Sequence, residues 1–311
     1  TGVATQLSDT GCVDPANPTL PASGLIPYAP SAPFWSDGAT KQRWIGLPDG
    51  QNITVGADGD WEFPNGTVLV KNFQLGERLI ETRLFMRHPD GVWAGYSYEW
   101  DAQGTDATLV RGGKRVAIRD ETGGDQTWIY PSEAQCTQCH TETAGRTLGL
   151  ETRQLAFSIT YPQTGRDAHQ LLTLNAINTL TPPIADPAAE TPYADPTGTA
   201  GSLDERARSY LHTNCSQCHR PGGPTTSNLD LRYATALANT NACDLAPGLG
   251  DLGIADARLI APGAADRSVI PARMNLRDSP NAMPPTGLGA RVDTDGVQLI
   301  RDWINSLAAC D

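Results

Sequence analysis

Two five-residue motifs constrain this chain more than any other feature of its 311 residues. They are Cys136-Thr-Gln-Cys139-His140 and Cys215-Ser-Gln-Cys218-His219. In each motif, two thiols can add across the vinyl groups of a haem as thioethers, and the adjacent histidine can ligate the iron. The chain is therefore predicted to bind two haem c groups covalently, with the four cysteines as thioether residues and the two histidines as axial ligands.

Two other chemistries use paired cysteines. Zinc could take the thiols of both CxxC pairs as four ligands. Zinc ribbons do not require a histidine directly after the second cysteine, however, and both motifs have one. A thioredoxin-like dithiol needs a βαβ context, which neither motif has. Haem attachment is therefore the interpretation that we favour.

The sixth ligand of each iron is a separate question. Downstream of His219 the only methionines are Met283, in the stiff segment Asn281-Ala-Met-Pro-Pro285, and Met274. One of them is predicted to ligate the second iron, and the other to fill the core.

The first iron has three candidates for its sixth ligand. Met86 and His88 lie two residues apart on a predicted strand, hence on one face. His169 lies at the front of a predicted helix. We rank His88 first, then Met86, then His169. A five-coordinate iron is the remaining alternative.

Charge and hydropathy limit the partners and the location. The net charge of −12 argues against nucleic acid as a partner. No run approaches 18 apolar residues, so no transmembrane segment is expected. The chain begins at Thr1, without a basic and then apolar leader, and is interpreted as a mature exported product whose signal peptide is absent. A periplasmic or extracellular location is predicted.

Three cysteines lie outside the motifs. Since haem c is attached outside the cytoplasm, these thiols can pair. We prefer a Cys243–Cys310 disulfide because both residues lie in the last predicted domain. Cys12 is then a thiol or is bonded to another chain.

The order of patterns predicts four segments. Residues 1–130 form a β-rich domain, 131–181 the first haem-binding segment, 182–200 a Pro-rich linker, and 201–311 a second haem domain. The predicted strands of the first domain are Lys41–Leu47, Thr67–Phe73, Leu79–Arg87, Trp93–Trp100 and Ala107–Val110. Turn sequences separate them, which favours an antiparallel sandwich or barrel.

Helices are predicted in the later segments. Asp167 is a candidate cap for a helix whose apolar positions are Ala168, Leu171, Leu174, Ile177 and Leu180. The sequence Ser202-Leu-Asp-Glu205 is a capping box, and Asp293 or Thr294 can cap a C-terminal amphipathic helix. We therefore expect a multidomain α+β fold, in which the β domain precedes mainly α-helical cytochrome c-type haem domains.

Longer motifs resemble two known families. Residues 202–311 resemble a class I cytochrome c domain, through Tyr210-Leu-His-Thr-Asn-Cys-Ser-Gln-Cys-His-Arg-Pro-Gly222, Ala261-Pro-Gly263, Met283-Pro-Pro285 and Leu299-Ile-Arg-Asp-Trp-Ile304. Residues 27–155 resemble a poorly characterised family of bacterial exported proteins, through Pro33-Phe-Trp-Ser-Asp-Gly38, Trp61-Glu-Phe-Pro64, Glu81-Thr-Arg-Leu84, Tyr98-Glu-Trp100 and Gln135-Cys-Thr-Gln-Cys-His140. The resemblance implies both haem sites, and its Met-Pro loop favours Met283 over Met274.

The first hypothesis is electron transfer between redox partner proteins outside the cytoplasm. It needs no catalytic side chain, and the sequence contains no convincing one, so we expect an electron-transfer protein rather than an enzyme. A second hypothesis is a di-haem peroxidase or oxidase, with His88 or Glu99 as its acid–base residue. A third is a subunit of an extracellular cytochrome filament, a homo-oligomer joined through Cys12 and the N-terminal segment.

Overall fold

The computed structural model describes residues 2–120 and 122–310. Packing groups them into two compact units. Unit 1 holds the described residues of Thr1–Ser31, Gly38–Gln138 and Leu150–Pro192, and unit 2 those of Ala32–Asp37, Cys139–Gly149 and Tyr193–Asp311. Each of our four predicted segments is continuous in sequence. Each of these units is instead made of three stretches of the chain, which alternate with those of the other unit. The last change of unit, after Pro192, falls inside the predicted linker.

Unit 1 is built from short strands. They are β1 (Val13–Asp14), β2 (Asn17–Pro21), β3 (Ile26–Pro27), β4 (Thr40–Gly46), β5 (Ile53–Val55), β6 (Trp61–Glu62), β7 (Val68–Leu75), β8 (Arg78–Arg87), β9 (Trp93–Trp100), β10 (Ala107–Leu109), β11 (Lys114–Arg119), β12 (Asp125–Tyr130), β13 (Ser158–Tyr161), β14 (Arg166–His169) and β15 (Leu180–Thr181). The five predicted strands are confirmed as β4, β7, β8, β9 and β10, with ends within two residues of the prediction.

One antiparallel sheet dominates unit 1, with strand order β10-β9-β8-β7-β4-β3. Side chains alternate between its faces. The face that we call the Phe85 face carries Ile45, Leu69 and Phe85. The opposite face, the Tyr98 face, carries Trp44, Val70, Leu84, Tyr98 and Trp100 in a second buried cluster.

Five helices are present among the described residues. They are α1 (Glu133–Cys139), α2 (Gln170–Ala176), α3 (Leu203–Cys215), α4 (Val269–Met274) and α5 (Thr294–Ser306). Helix α2 packs its Leu171 and Leu174 into the same cluster as Phe85. None of these helices combines the length and the apolar character needed to cross a bilayer.

The core of unit 2 forms where α3 meets α5. Tyr210 on α3 donates a hydrogen bond to Asp293 (2.9 Å), and Asp293 caps α5 by accepting from the Gly296 N–H (3.0 Å). A Cβ at Gly296 would lie 2.4 Å from the Tyr210 hydroxyl oxygen. The lack of a side chain at Gly296 therefore lets the two helices approach closely.

The predicted disulfide of unit 2 is confirmed. Cys243 and Cys310 are bonded, with their Cα atoms 5.7 Å apart. Cys12 is buried in unit 1, within the cluster on the Tyr98 face. This burial does not favour a bond from Cys12 to another chain.

The predicted mainly α-helical haem domains, and with them the α+β class, are wrong. Strands with isolated β-bridges hold 26% of the residues, and α-helices with short 3-10 helices hold 20%, so the fold is β-rich. Within residues 201–311, α3, α4 and α5 cover only 13, 6 and 13 residues. Between α3 and α4 the chain has six glycines and four prolines, which disfavour helix interiors, and it forms turns instead.

The helix prediction for residues 167–180 is also corrected. Asp167 lies in β14, where it pairs with Thr160 of β13, and is not a cap. Helix α2 begins after His169. The apolar spacing that we assigned to one long helix is divided between a strand, a short helix and β15, because pairing in the sheet overrides a short periodic signal.

Changing Gly296 to Ala is expected to destabilise unit 2. The new Cβ would overlap the Tyr210 ring, and overpacking of this kind costs about 1–3 kcal/mol. Thermal unfolding followed by circular dichroism should show a lower melting temperature. The control is Gly248→Ala, because no atom lies within 4 Å of a Cβ there. Equal melting temperatures for both variants would contradict the role of Gly296 in the helix crossing.

Candidate functional site

The first CxxCH motif lies on helix α1. Cys136 and Cys139 are one turn apart, so they share a helix face. The helix begins with a reciprocal cap. The Gln135 N–H donates to the Ser132 hydroxyl (3.3 Å), and the Ser132 N–H donates to Gln135 Oε1 (2.9 Å). Our sequence analysis missed this helix, although Ser-x-x-Gln is a capping-box signature.

Cys136 is buried against strand β9 in unit 1. A Cβ at Gly95 would lie 2.6 Å from Cys136 Sγ, so only a glycine leaves room for the sulfur there. Gly95 pairs with Phe85 in the sheet, which places Cys136 on the Phe85 face. Burial raises the pKa of the Cys136 thiol, despite an opposing effect of Arg83.

His140 is held at one ring nitrogen. Its Nδ1 lies 2.6 Å from the carbonyl oxygen of Arg146. Because a carbonyl only accepts, Nδ1 carries the proton and Nε2 is the nitrogen able to ligate a metal. Arg146 has φ 64° and donates from its side chain back to the His140 carbonyl (3.1 Å). Residues 140–146 thus form a closed loop around this bond.

The second motif begins at the end of α3. The predicted capping box that starts α3 is confirmed, with Ser202 and Glu205 bonded in both directions. Cys215 is the last residue of α3, and its carbonyl accepts from the Cys218 and His219 N–H groups (3.1 and 2.9 Å). The chain therefore continues in a tight turn that sets the position of His219.

His219 is also held at Nδ1. The Ser227 hydroxyl lies 3.0 Å from this nitrogen, and Thr225 Oγ1 lies 3.1 Å from the same hydroxyl. Burial lowers the pKa of the His219 imidazole, which favours the neutral form that binds metals. Both motif histidines are therefore oriented by a neighbour at Nδ1, as is usual for histidines that ligate metals.

The thiol chemistry does not resemble that of a redox dithiol. The CxxCH cysteines form no disulfide among the described residues. Burial raises the pKa of the Cys218 thiol, and raises that of Cys215 to about 12. Reactive dithiols instead have lowered thiol pKa values. Among residues 2–120 and 122–310, no three His, Cys, Asp or Glu side chains gather as a candidate metal cluster.

Within unit 2, the two CxxCH segments touch each other. The Thr141 hydroxyl, directly after His140, donates to the carbonyl of Gln217 (2.7 Å), between the cysteines of the second motif. Arg220 Nη1, directly after His219, donates to the carbonyl of Thr143 (2.9 Å). These two bonds join residues that are 76 and 77 positions apart in the chain. No sequence pattern that we identified predicts this contact.

The two candidate methionines of the second site lie in different surroundings. Met274 is buried in the core cluster formed by α3 and α5. Met283 is only half-buried and lies outside that cluster. Its loop is fixed at the backbone, because its N–H donates to the Arg273 carbonyl (3.0 Å) and its carbonyl accepts from Arg277 (3.3 Å).

The three candidates for the first site are separated by the main sheet. Met86 packs on the Tyr98 face, opposite to Cys136. His88 Nε2 lies 2.9 Å from the hydroxyl of Tyr96. Tyr96 packs on the Tyr98 face too. The structure thus does not bring Met86 or His88 to the Cys136 side.

His169 lies on the same side of the sheet as Cys136. It caps α2, which packs against the Phe85 face. Its Nδ1 is buried and has no hydrogen-bond partner among the described residues. A buried nitrogen without a partner is costly unless something occupies it. Of our three candidates, only His169, which we ranked last, lies on the Cys136 side of the sheet.

The segment Ala32–Asp37 belongs to unit 2, although we assigned it to the β domain. The Asn214 side chain accepts from the Trp35 N–H (2.9 Å), next to Cys215. Asp37 accepts from the N–H groups of Ala290 and Arg291 (3.1 and 2.9 Å). Contacts between residues so distant in the chain leave no local pattern, so sequence reasoning missed them.

No known protein family matches this chain, and neither does any curated protein or any solved structure. The resemblances described above therefore stay predictions. The interpretation of the site depends on the geometry of its own residues.

Replacing Ser227 with Ala should raise the reduction potential of a haem ligated by His219. The hydrogen bond at Nδ1 makes the imidazole a stronger donor and stabilises ferric iron. A neutral hydrogen bond contributes about 0.5–1.5 kcal/mol, which for one electron corresponds to about 20–60 mV. Spectroelectrochemical titration measures the shift.

The matched control for this variant is Ser227→Thr, which keeps the hydroxyl. Its second haem should titrate as in the parent protein. An unchanged potential in Ser227→Ala would show that the bond from Ser227 does not tune the ligand.

Proposed function

We propose that the chain is a di-haem c-type cytochrome that transfers electrons between redox partner proteins outside the cytoplasm. The observation that carries the proposal is the shared arrangement of His140 and His219. Each directly follows a CxxC pair, and each is held at Nδ1, with Nε2 as the nitrogen for the metal. Structural or solvent-facing histidines do not require this combination.

The residues of both motifs fit a covalent haem. Cys136 and Cys139 would form the thioethers of the first haem, and Cys215 and Cys218 those of the second. Bound haem supplies a one-electron couple at its iron. The chain itself supplies proximal imidazoles of fixed orientation. Burial also raises the pKa of the Cys136 and Cys215 thiols.

Structural observations do not favour the enzyme alternative. His88, a candidate acid–base residue, shares a hydrogen bond with Tyr96 and lies away from Cys136. Glu99, the other candidate, is paired with Lys114. Electron transfer requires no acid–base residue, so it accounts for the site without assigning a role to either side chain.

The filament alternative receives no specific support. Residues that we expected to join neighbouring subunits pack instead within unit 1. Leu7 is fully buried, Cys12 is nearly so, and β1 and β2 form a hairpin. An exported location agrees with the Cys243–Cys310 disulfide, since such bonds persist in oxidising compartments.

The deciding experiment counts covalent haems on the exported holoprotein. Intact mass and the pyridine haemochrome assay should give two per chain. The double variants Cys136→Ser/Cys139→Ser and Cys215→Ser/Cys218→Ser should each retain one. A mass equal to that of the bare polypeptide would refute the proposal.

A paired substitution tests the sixth ligand of the second haem. Met283→Leu should abolish the near-infrared signature of thioether ligation and lower the reduction potential, since loss of a methionine ligand favours ferric iron. Met274→Leu conserves volume in the core and should leave both properties unchanged while changing stability by less than about 1.5 kcal/mol. The opposite pattern would assign the ligand to Met274.

A further inference from the structure

We infer that the two haems form one electronically coupled pair, which Thr141 and Arg220 hold together as positioning residues. This inference rests on the proposed function and specifies the path within the molecule. Electrons would pass directly from one haem to the other inside a single chain, without an intervening partner.

The contact between the CxxCH segments carries the inference. Thr141 is buried, and its hydroxyl donates to the Gln217 carbonyl (2.7 Å) within the second motif. Gln217 is buried as well. A buried carbonyl needs a donor, and this one receives it from the other haem segment. The bond therefore fixes the spacing between the two attachment loops.

This bond limits how far apart the attachment points can be. Thr141 lies two residues after Cys139, and Gln217 directly precedes Cys218. The distance between the Cα atoms of Cys139 and Cys218 cannot exceed the sum of the extended chain on each side, the threonine side chain and the 2.7 Å bond. This upper limit is about 15 Å. Each haem is attached at its edge through such a cysteine, so the two porphyrin edges start from neighbouring positions.

Arg220 supplies the second connection. Its guanidinium donates to the Ser216 carbonyl (2.8 Å) in its own motif and to the Thr143 carbonyl (2.9 Å) in the other. Because the planar guanidinium bonds to both segments, it restricts the rotation of one segment relative to the other. Close packing adds to this, because a Cβ at Gly222 would lie 3.2 Å from the Thr143 methyl group.

The test uses circular dichroism of the Soret band. Haems in close contact couple by exciton interaction, which gives a two-signed band that neither haem produces alone. The spectrum of the intact di-haem protein is compared with the sum of the spectra of Cys136→Ser/Cys139→Ser and Cys215→Ser/Cys218→Ser. We expect a two-signed band in the parent protein and none in the sum. Identical spectra would overturn the inference.

Side-chain variants test the positioning residues. Thr141→Val combined with Arg220→Gln should keep two covalent haems but lose at least half of the two-signed amplitude. The matched control is Thr137→Val, a half-buried threonine of the first motif whose hydroxyl donates to the Ala134 carbonyl of its own helix (3.0 Å). It should keep the full amplitude. Full amplitude in the double variant would show that these contacts do not hold the pair.

Loss of the coupling and loss of the haems give different experimental results. Fewer than two haems per chain in the parent protein would contradict the proposed function itself. Two haems with additive spectra would leave that function intact and remove only the coupling.

Discussion

The hydrogen bond at Nδ1 of each motif histidine is the interaction on which the site depends. An imidazole on a turn can rotate, and an axial ligand must present one nitrogen in one direction. The Arg146 carbonyl and the Ser227 hydroxyl remove that freedom, which suits the axial-ligand role that we propose for both histidines. Loop 140–146 and the turn after α3 are shaped around these two bonds.

Unit 2 achieves this without a large regular scaffold. Its longest stretch, Tyr193–Asp311, is held by two features. They are the helix crossing at Gly296 and Tyr210 and the Cys243–Cys310 disulfide. Between α3 and α5 the chain consists mostly of turns, with α4 and two short 3-10 helices, and backbone carbonyls there bond to side chains such as Arg273 and Arg277. The covalent haem that we propose would suit such a unit, because a large apolar cofactor would then contribute part of the core.

Local signals in the sequence predicted what depends on local structure. Alternation and turn residues located β4 and β7 to β10, and Ser202 with Glu205 located the start of α3. Helical content was overestimated because haem domains were expected to be helical. The glycines and prolines between α3 and α4 already argued against that expectation.

What the sequence could not predict are contacts between distant segments. The Thr141–Gln217 bond and the docking of Trp35 on Asn214 join residues 76 and 179 positions apart, and no periodicity encodes them. The face of the sheet was predictable in principle. Alternation along β8 places Met86 opposite to Phe85, but the side taken by Cys136 depends on its packing at Gly95.

The two histidine anchors differ in a way that separates their roles. A backbone carbonyl accepts from His140, and no side-chain substitution at Arg146 removes that group. A hydroxyl holds His219, and single substitutions at Ser227 or Thr225 can alter it. The bond to His140 is also the shorter one: its Nδ1 lies 2.6 Å from the Arg146 carbonyl oxygen, whereas Nδ1 of His219 lies 3.0 Å from the Ser227 hydroxyl. A stronger hydrogen bond at Nδ1 stabilises ferric iron. Within the coupled pair that we propose, this asymmetry would give the first haem the lower potential, and electrons would pass toward the second.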